Sequence, residues 1–241
     1  MLEKTKGIVL HQIKYTDSGI VAQIYTRKFG RQAYIIKGMR NKKTGKHNIL
    51  FQPLSVLDLE IYYKPSRDIQ NLKEFSVSYA PYEVHSNIKK SSVAIFLGEF
   101  LASVLKEESP HADMFDYIEE SIIYFDRSKD NYANFHIAFL AGLSSFLGFE
   151  PSRRNYSGDI FFDMENGVFV PVPPVHGNYA TAGISDIIAE FLSASYDKAR
   201  DISLTGIVRN EILETLVRYY SLHLPGLKRI KSLEVLKEVF S

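Results

Sequence analysis

The stretch IVAQIYTRKFGRQAYIIKG, residues 20–38, decides the fold of the N-terminal part of this chain. Side chains alternate in character from Ile20 to Thr26, which is the pattern of a strand with one buried face. A second extended segment runs from Gln32 to Lys37. The break at Phe29-Gly30-Arg31 predicts a tight connection, because glycine adopts the conformations that such turns need. We therefore expect two successive strands here.

Further extended segments lie on both sides of this pair. Strands are predicted over Gly7–Ile13, Val56–Tyr63 and Ile69–Tyr79, with turns at Tyr15–Gly19 and Lys64–Asp68. Five short strands without a clear helix in residues 1–80 predict a small closed barrel, since closure removes exposed sheet edges.

Helical periodicity replaces this pattern after Pro81. Apolar residues at spacings of three and four predict helices around Val93–Leu105 and Met114–Phe125, and over Tyr132–Leu147, Ile184–Ser195, Gly206–Leu224 and Ser232–Phe240. Asp113 is a candidate cap of the second helix. Asn166-Gly167, between Ile160–Asp163 and Val168–Val170, predicts a hairpin. The predicted fold is α+β with two domains: a five-stranded barrel over 1–80, and a mainly helical domain over 81–241 with a β-hairpin insertion at about 156–176.

Charge is distributed unevenly between these two parts. The whole chain carries a net charge of only +1, but residues 1–80 hold 14 basic and 6 acidic side chains, a net of +8. Eight of the basic residues lie between Arg27 and Lys46, where there is no acidic residue. Such a stretch favours a polyanion such as nucleic acid. A solvated, lysine-rich loop is the alternative.

Small barrels that bind single strands combine a positive groove with aromatic stacking platforms. Tyr34 lies in the basic stretch, either as such a platform or as a core residue. The candidate nucleic-acid-binding residues are Arg27, Lys28, Arg31, Tyr34, Lys37, Arg40, Lys42, Lys43 and Lys46. The flexible lysines suit phosphate contact, so sequence-independent binding is favoured.

Several enzyme classes are disfavoured by the sequence. The absence of cysteine excludes disulfides, thiolate metal sites and a thiol nucleophile. Gly38 and Gly45-Lys46 do not form a phosphate loop, because six residues intervene and His47 stands where Ser or Thr is required. A hydrolase or metal site around Asp163, Glu165 and His176 remains an open alternative.

No targeting segment is visible at Met1–Lys6. Residues 131–149 lack acidic and basic side chains over nearly a membrane-spanning length, but they contain polar residues, and a buried core helix is the favoured interpretation. We expect a soluble, cytoplasmic protein without a membrane partner.

Six motifs, in this order, resemble those of the RecO family of DNA repair proteins. They are Gly7-Ile8-Val9-Leu10, Tyr15-x-Asp17, Thr26-x-x-x-Gly30-Arg31, Lys37-Gly38-x-Arg40, Leu50-x-Gln52-Pro53-Leu54 and Ser232-Leu233-Glu234-Val235-Leu236. The resemblance covers nearly the whole chain and implies an oligonucleotide-binding (OB-fold) barrel followed by a helical domain.

The resemblance implies a recombination mediator and not an enzyme. Such proteins bind single- and double-stranded DNA, anneal complementary single strands and, with the partner RecR, help RecA to replace single-strand-binding protein. The implied setting is the bacterial cytoplasm, at the nucleoid. The alternative is a generic oligonucleotide-binding module for single-stranded DNA or RNA, with an unrelated protein partner.

Two further expectations depend on this resemblance. The acidic, aromatic-ended tail of single-strand-binding protein is bound by the family's helical domain, for which Arg127, Lys129, Arg153 and Arg154 are the candidate residues. Many family members hold zinc with four cysteines after the segment Phe-Leu-Gly-Phe. This chain has none, so we expect no metal or other cofactor, and packing through Phe161, Phe162, Val168 and Phe169 instead.

Overall fold

A computed structural model of the chain describes residues 1–16, 19–36, 50–105, 110–152 and 160–241. Two compact units divide the chain. The first comprises Met1–Arg127 with Ile230–Leu236, and the second comprises Ser128–Arg229 with Lys237–Ser241. The domain boundary at residue 80 stays a prediction: strands give way to helices there, while the first compact unit continues to Arg127.

The first unit begins with a closed barrel, as predicted. Its strands are β1 (Leu2–Thr16), β2 (Gly19–Thr26), β3 (Gly30–Ile36), β4 (Val56–Tyr62) and β5 (Ile69–Tyr79). Their order around the barrel is β1-β2-β3-β5-β4. Neighbouring strands are antiparallel except β3 and β5, which are parallel.

β1 is much longer than the predicted Gly7–Ile13, because it serves two neighbours. Its first half pairs with β4, and its second half pairs with β2. The pairing with β2 shifts register between Val9 and His11 and between Lys14 and Thr16. Each shift leaves one extra residue, which interrupts the two-residue alternation by which a strand is predicted from sequence.

The barrel encloses a hydrophobic core formed by alternate residues of its strands. Val9, Ala22, Ile24 and Leu59 are among its buried members. Since successive side chains of a strand point to opposite faces, the residues between them lie on the outside of the barrel.

In the described residues of this unit the barrel is followed by α1 (Tyr82–Ser86), α2 (Ile88–Val104) and α3 (Ala112–Arg127). Asn87 caps α2, since its side chain accepts from the N–H of Lys89 at 2.9 Å. In α3 the His111 ring takes this role, accepting from the Met114 N–H at 3.1 Å. The predicted cap, Asp113, lies inside the first turn of the helix.

A buried hydrogen-bond cluster joins these helices to the barrel. The Asp126 carboxylate accepts from the Tyr79 hydroxyl at 2.7 Å and from the Val84 N–H at 3.0 Å. The Lys90 ammonium donates to the carbonyls of Phe125 and Asp126, each at 3.0 Å. Burial lowers the pKa of Lys90, while the nearby Asp126 and Glu83 act in the opposite direction.

The second unit contains α4 (Phe135–Phe146), α5 (Ala182–Ser193), α6 (Tyr196–Ala199) and α7 (Gly206–His223). β6 (Phe161–Asp163), β7 (Val168–Val170) and β8 (Tyr179–Ala180) form a small sheet in the order β7-β6-β8. The predicted hairpin is confirmed as β6–β7, with Gly167 at a φ of 64°. Of the four residues that were expected to pack this region, Phe162 and Phe169 are buried and stack at 5.0 Å, whereas Phe161 and Val168 are half-buried.

The apolar stretch 131–149 forms the short, largely buried helix α4, in agreement with the core interpretation. In the part of the chain that the structure describes, no helix has both the length and the apolar character to cross a membrane.

The last helix, α8 (Ser232–Val239), returns to the first unit at its N-terminus. The Glu99 carboxylate of α2 accepts from the N–H groups of Lys231 at 2.9 Å and Ser232 at 2.8 Å. A carboxylate is favourable at a helix N-terminus, where N–H groups lack partners. Burial alone would raise the pKa of Glu99, but the hydrogen bond from the Ser232 hydroxyl and those from the two N–H groups lower it overall.

Candidate nucleic-acid interface

Arg27 and Lys28 lie in the turn between β2 and β3, and both have carboxylate partners. The Arg27 guanidinium forms an ion pair with Asp116 of α3. The Lys28 ammonium is 3.8 Å from the Glu3 carboxylate. These side chains are all partly exposed, so each pair contributes at most about 1 kcal/mol. The basic stretch therefore begins with part of its charge neutralised.

Helix α3 packs on the outside of the barrel next to this turn. The Tyr25 ring lies 5.9 Å from the Phe115 ring, and its hydroxyl donates to the His111 carbonyl at 3.4 Å. Burial raises the pKa of Tyr25 to about 12. The Lys6 ammonium contacts the Glu119 carboxylate at 2.6 Å. α3 thus brings acidic residues onto a basic part of the barrel.

Tyr34 belongs to the barrel core, and its assignment to the nucleic-acid interface was wrong. The side chain is fully buried among residues that include Val9 and Ile24. Burial raises the pKa of its hydroxyl well above the usual value. A base cannot stack on a ring that solvent does not reach. The alternation from Gln32 to Lys37 identified two faces but not which of them points inward.

Arg31 lies on the outer face of β3. Its guanidinium donates to the Gln23 side chain of β2 at 3.1 Å. Burial lowers the pKa of the nearby His11, and the Arg31 charge lowers it further, while the Glu99 carboxylate raises it. Of the basic residues between Arg27 and Lys46 that the structure describes, Arg27 and Lys28 lie in a turn and Arg31 lies on a strand.

The outer side chains around Arg31 form rows across the sheet. Ile13 pairs with Val21, and Val21 pairs with Ile35. A second row joins His11 to Gln23, then to Ala33 and finally to Ile69 of β5. We call this surface the open face; its residues are His11, Ile13, Val21, Gln23, Arg31, Ala33, Ile35 and Ile69.

A cavity of about 540 Å³ lies at the barrel wall, between β1, β4, β5 and the β2–β3 turn. Its charged lining residues are Lys4, Lys6, Arg27, Lys28, Asp58, Glu60 and Glu74. Cations and carboxylates are nearly balanced, and Glu60 is already bound to Lys73 at 2.8 Å. The cavity therefore suits a polyanion less well than the open face does.

Several predicted site residues lie outside the described residues. In the basic stretch these are Lys37, Arg40, Lys42, Lys43 and Lys46, and among the candidates for partner binding they are Arg153 and Arg154. Arg127 is exposed at the end of α3 in the first unit, and Lys129 is exposed at the start of the second.

The cluster of Asp163, Glu165 and His176 does form, at the turn of the β6–β7 hairpin. The Asp163 carboxylate accepts from the N–H groups of Glu165 at 3.0 Å and Asn166 at 3.1 Å, and lies 3.2 Å from the His176 ring. Burial alone would raise the pKa of Asp163, but these hydrogen bonds, with that of the Asn166 side chain, lower it overall. Asp163 thus closes the hairpin turn.

Metal binding receives no support from these residues. In the described ranges, no three His, Asp or Glu side chains are grouped closely enough to hold an ion. A four-thiolate zinc site does not fit a chain without cysteine. The absence of zinc nevertheless stays a prediction.

Two family models match the chain. One, described as the N-terminal part of recombination protein O, matches residues 1–80, which contain the barrel. The other, described as its C-terminal part, matches residues 85–234. The chain belongs to the RecO family.

Curated relatives in this family match over their full length. The DNA repair protein RecO of Phocaeicola vulgatus is 38% identical over 245 aligned residues and covers 100% of both chains. The protein of the same name from Bacteroides fragilis is 36% identical, again over all of both chains. The DNA repair protein RecO of Flavobacterium psychrophilum is 31% identical, over 99% of each of the two chains. Family membership places the chain among bacterial proteins of DNA repair and recombination, as the resemblance predicted.

Proposed function

We propose that this chain is a recombination mediator that binds DNA and anneals complementary single strands. With RecR, it helps to load RecA onto DNA that is coated with single-strand-binding protein. It acts in the bacterial cytoplasm, at the nucleoid, and catalyses no covalent step.

The observation that carries this proposal is the closed barrel with Arg31 on its open face, within a chain that matches the family from end to end. Strand annealing needs a surface that holds single strands without reading their sequence. Electrostatic attraction to phosphates provides this, because it does not depend on the bases. The basic stretch from Arg27 to Lys46 supplies the charge.

The helical domain is proposed to receive the acidic tail of single-strand-binding protein. Arg127, Lys129, Arg153 and Arg154 are the proposed contacts, because guanidinium and ammonium groups bind carboxylates through charge-assisted hydrogen bonds. Arg127 and Lys129 are exposed, as such contacts require.

An annealing assay tests both parts of the proposal. Complementary oligonucleotides are coated with single-strand-binding protein, either intact or without its tail, and duplex formation is followed by fluorescence. We expect this protein to accelerate annealing of bare strands and of strands coated with the intact protein. Deletion of the tail should abolish the acceleration on coated strands and leave the acceleration on bare strands unchanged.

The outcomes separate the two claims. No acceleration on bare strands would exclude the annealing role. Equal acceleration with the tailed and the tail-less protein would exclude tail recognition. The R153A/R154A double variant should not accelerate annealing of strands coated with intact single-strand-binding protein. The wild type should fail in the same way on strands coated with the tail-less protein.

A further inference from the structure

Among the residues that the structure describes, helices cover one end of the outer surface of β1 and β2 but not the other end. At the covered end Ile8 and Leu10 are fully buried, and Tyr25 packs beneath Phe115. At the exposed end Ile13 of β1 is 55% exposed, and Ile69 of β5, which pairs with β3, is 39% exposed. A sheet face with exposed apolar side chains on more than one strand is a candidate binding surface.

Tyr15 lies beside the open face, at the second register shift of β1. Lys14 pairs with Ile20 and Thr16 pairs with Gly19, so Tyr15 is the extra residue of a bulge. A bulge redirects the side chain of the residue that it inserts. Tyr15 is 55% exposed, in contrast to the buried Tyr25 and Tyr34.

The charge around this exposed end favours an anionic occupant. β2, β3 and residues 7–16 of β1 contain no acidic residue, whereas Lys14 and Arg31 are cationic. Immediately before Ile69 of β5, the charges of Arg67 and Asp68 offset each other. Glu99 of α2 is the carboxylate that acts on His11. In the sequence, Asp17 is the only acidic residue between Gly7 and Ile36, and it lies outside the described residues.

We infer that the open face binds the bases of single-stranded DNA, with Tyr15 as a stacking platform. A base has an apolar, flat surface that stacks on an aromatic ring, and its backbone carries the negative charge that Lys14 and Arg31 attract. In a duplex the bases are stacked on each other and cannot reach Tyr15. The open face therefore binds single strands in preference to duplexes. This inference rests on the DNA binding proposed above.

Binding of the full-length chain to a labelled oligothymidine and to a labelled duplex of the same length tests this inference. Y15A should weaken single-strand binding by about 5- to 150-fold, which is the range for the loss of one base–aromatic stack. Duplex binding should change by less than about twofold. Y82A is the matched control, since Tyr82 is 74% exposed but lies on α1; it should bind both DNAs as the wild type does.

A spectroscopic readout follows from the absence of tryptophan in the chain. Y15W introduces a single tryptophan, whose emission should be quenched by the oligothymidine and little changed by the duplex, because stacking on a base quenches indole fluorescence. Y82W should respond to neither. Oligouridine in place of oligothymidine shows whether the platform accepts RNA; tighter binding of the RNA would overturn the assignment to DNA.

The result for the wild type separates this inference from the proposed function. If the wild type binds neither DNA, the proposed function and this inference fall together. If it binds single strands and Y15A binds them equally well, only the open face is excluded. Equal quenching of Y15W by single strands and duplex would overturn the claim of single-strand selectivity.

Discussion

His136 shows what burial does to a single titratable residue. Its ring is buried in the second unit, 5.6 Å from the Phe240 ring. Burial, together with the charge of Arg209, lowers the pKa of His136 from 6.5 to about 3. The folded chain therefore keeps this ring neutral at pH values where an unfolded chain would protonate it.

Acid should destabilise the protein through His136. Between pH 6.5 and about 3 the unfolded state binds a proton that the folded state does not, so stability is present above pH 6.5 and is lost as the pH falls. The loss reaches at most about 1.4 kcal/mol per pH unit for this one residue. Urea denaturation between pH 7.5 and 4.5 should show a shallower decline for H136L than for the wild type. An equal decline of the free energy of unfolding with pH for both proteins would contradict this.

At the same scale, two residues show the limit of sequence reasoning. The cap of α3 was assigned to Asp113 by residue type, but the His111 ring accepts the hydrogen bond. The partner of Arg27 is Asp116, which lies 89 positions away. Composition and spacing identified Arg27 as a basic site residue but contain no information on such distant partners.

Among the elements, α2 lies close against the backbone of β1 at Gly98. A Cβ atom on Gly98 would overlap the Leu10 carbonyl oxygen and lie 3.2 Å from the Pro53 Cβ. Leu10 is the extra residue at the first register shift of β1, so the helix lies against the backbone of that bulge. Gly98 is thus required by close approach, although glycine is a poor helix former.

G98A should therefore destabilise the protein, by about 1–3 kcal/mol, because the added methyl group forces the backbone apart. Helix propensity alone predicts the opposite, a gain in stability of about 1 kcal/mol, because alanine favours a helix more than glycine does. G183A is the matched control: Gly183 lies in α5 with no atom within 4 Å of an added Cβ. It should be neutral or stabilising in thermal unfolding. Equal effects of the two substitutions would mean that α2 does not lie this close to β1.

Helix α3 should weaken DNA binding through the carboxylates that it places on the barrel. The D116N/E119Q double variant frees Arg27 and Lys6 from their partners. DNA affinity at about 100 mM salt should rise several-fold for single strands and duplexes alike, since phosphate contacts are independent of sequence. Anisotropy titrations measure this. E120Q, on the same helix, is the control, and a similar rise there would point to a general effect of charge.

For the whole molecule, the uneven charge distribution governs how binding responds to salt. Residues 1–80 carry +8 while the chain as a whole carries +1. Removing Lys42, Lys43 and Lys46 together should weaken DNA binding across all sequences. The slope of log affinity against log salt should fall by about 0.7 to 0.9 for each phosphate that the variant no longer neutralises. An unchanged slope would show that these lysines do not bind the DNA backbone.

The sequence predicted the strands of the barrel because Ile20–Thr26 alternates, and the helices because their apolar residues recur at helical spacing. It did not predict the full length of β1, since the extra residues Leu10 and Tyr15 break the alternation. It also did not single out Ile13 and Tyr15, which belong to the surface that we infer to bind single strands. Their exposure depends on where α2 and α3 end on the barrel, which is decided by packing between distant parts of the chain.

The contact of Glu99 with Lys231 and Ser232 affects the order in which the chain can fold during synthesis. Domains generally fold as units as they leave the ribosome, beginning at the N-terminus. Here the barrel is made before the second unit, yet the segment Ile230–Leu236 that completes the barrel's unit follows Ser128–Arg229 in the chain. Until that segment is made, the Glu99 carboxylate of α2 lacks the N–H groups of Lys231 and Ser232. The first unit is thus completed only after most of the second unit has been translated.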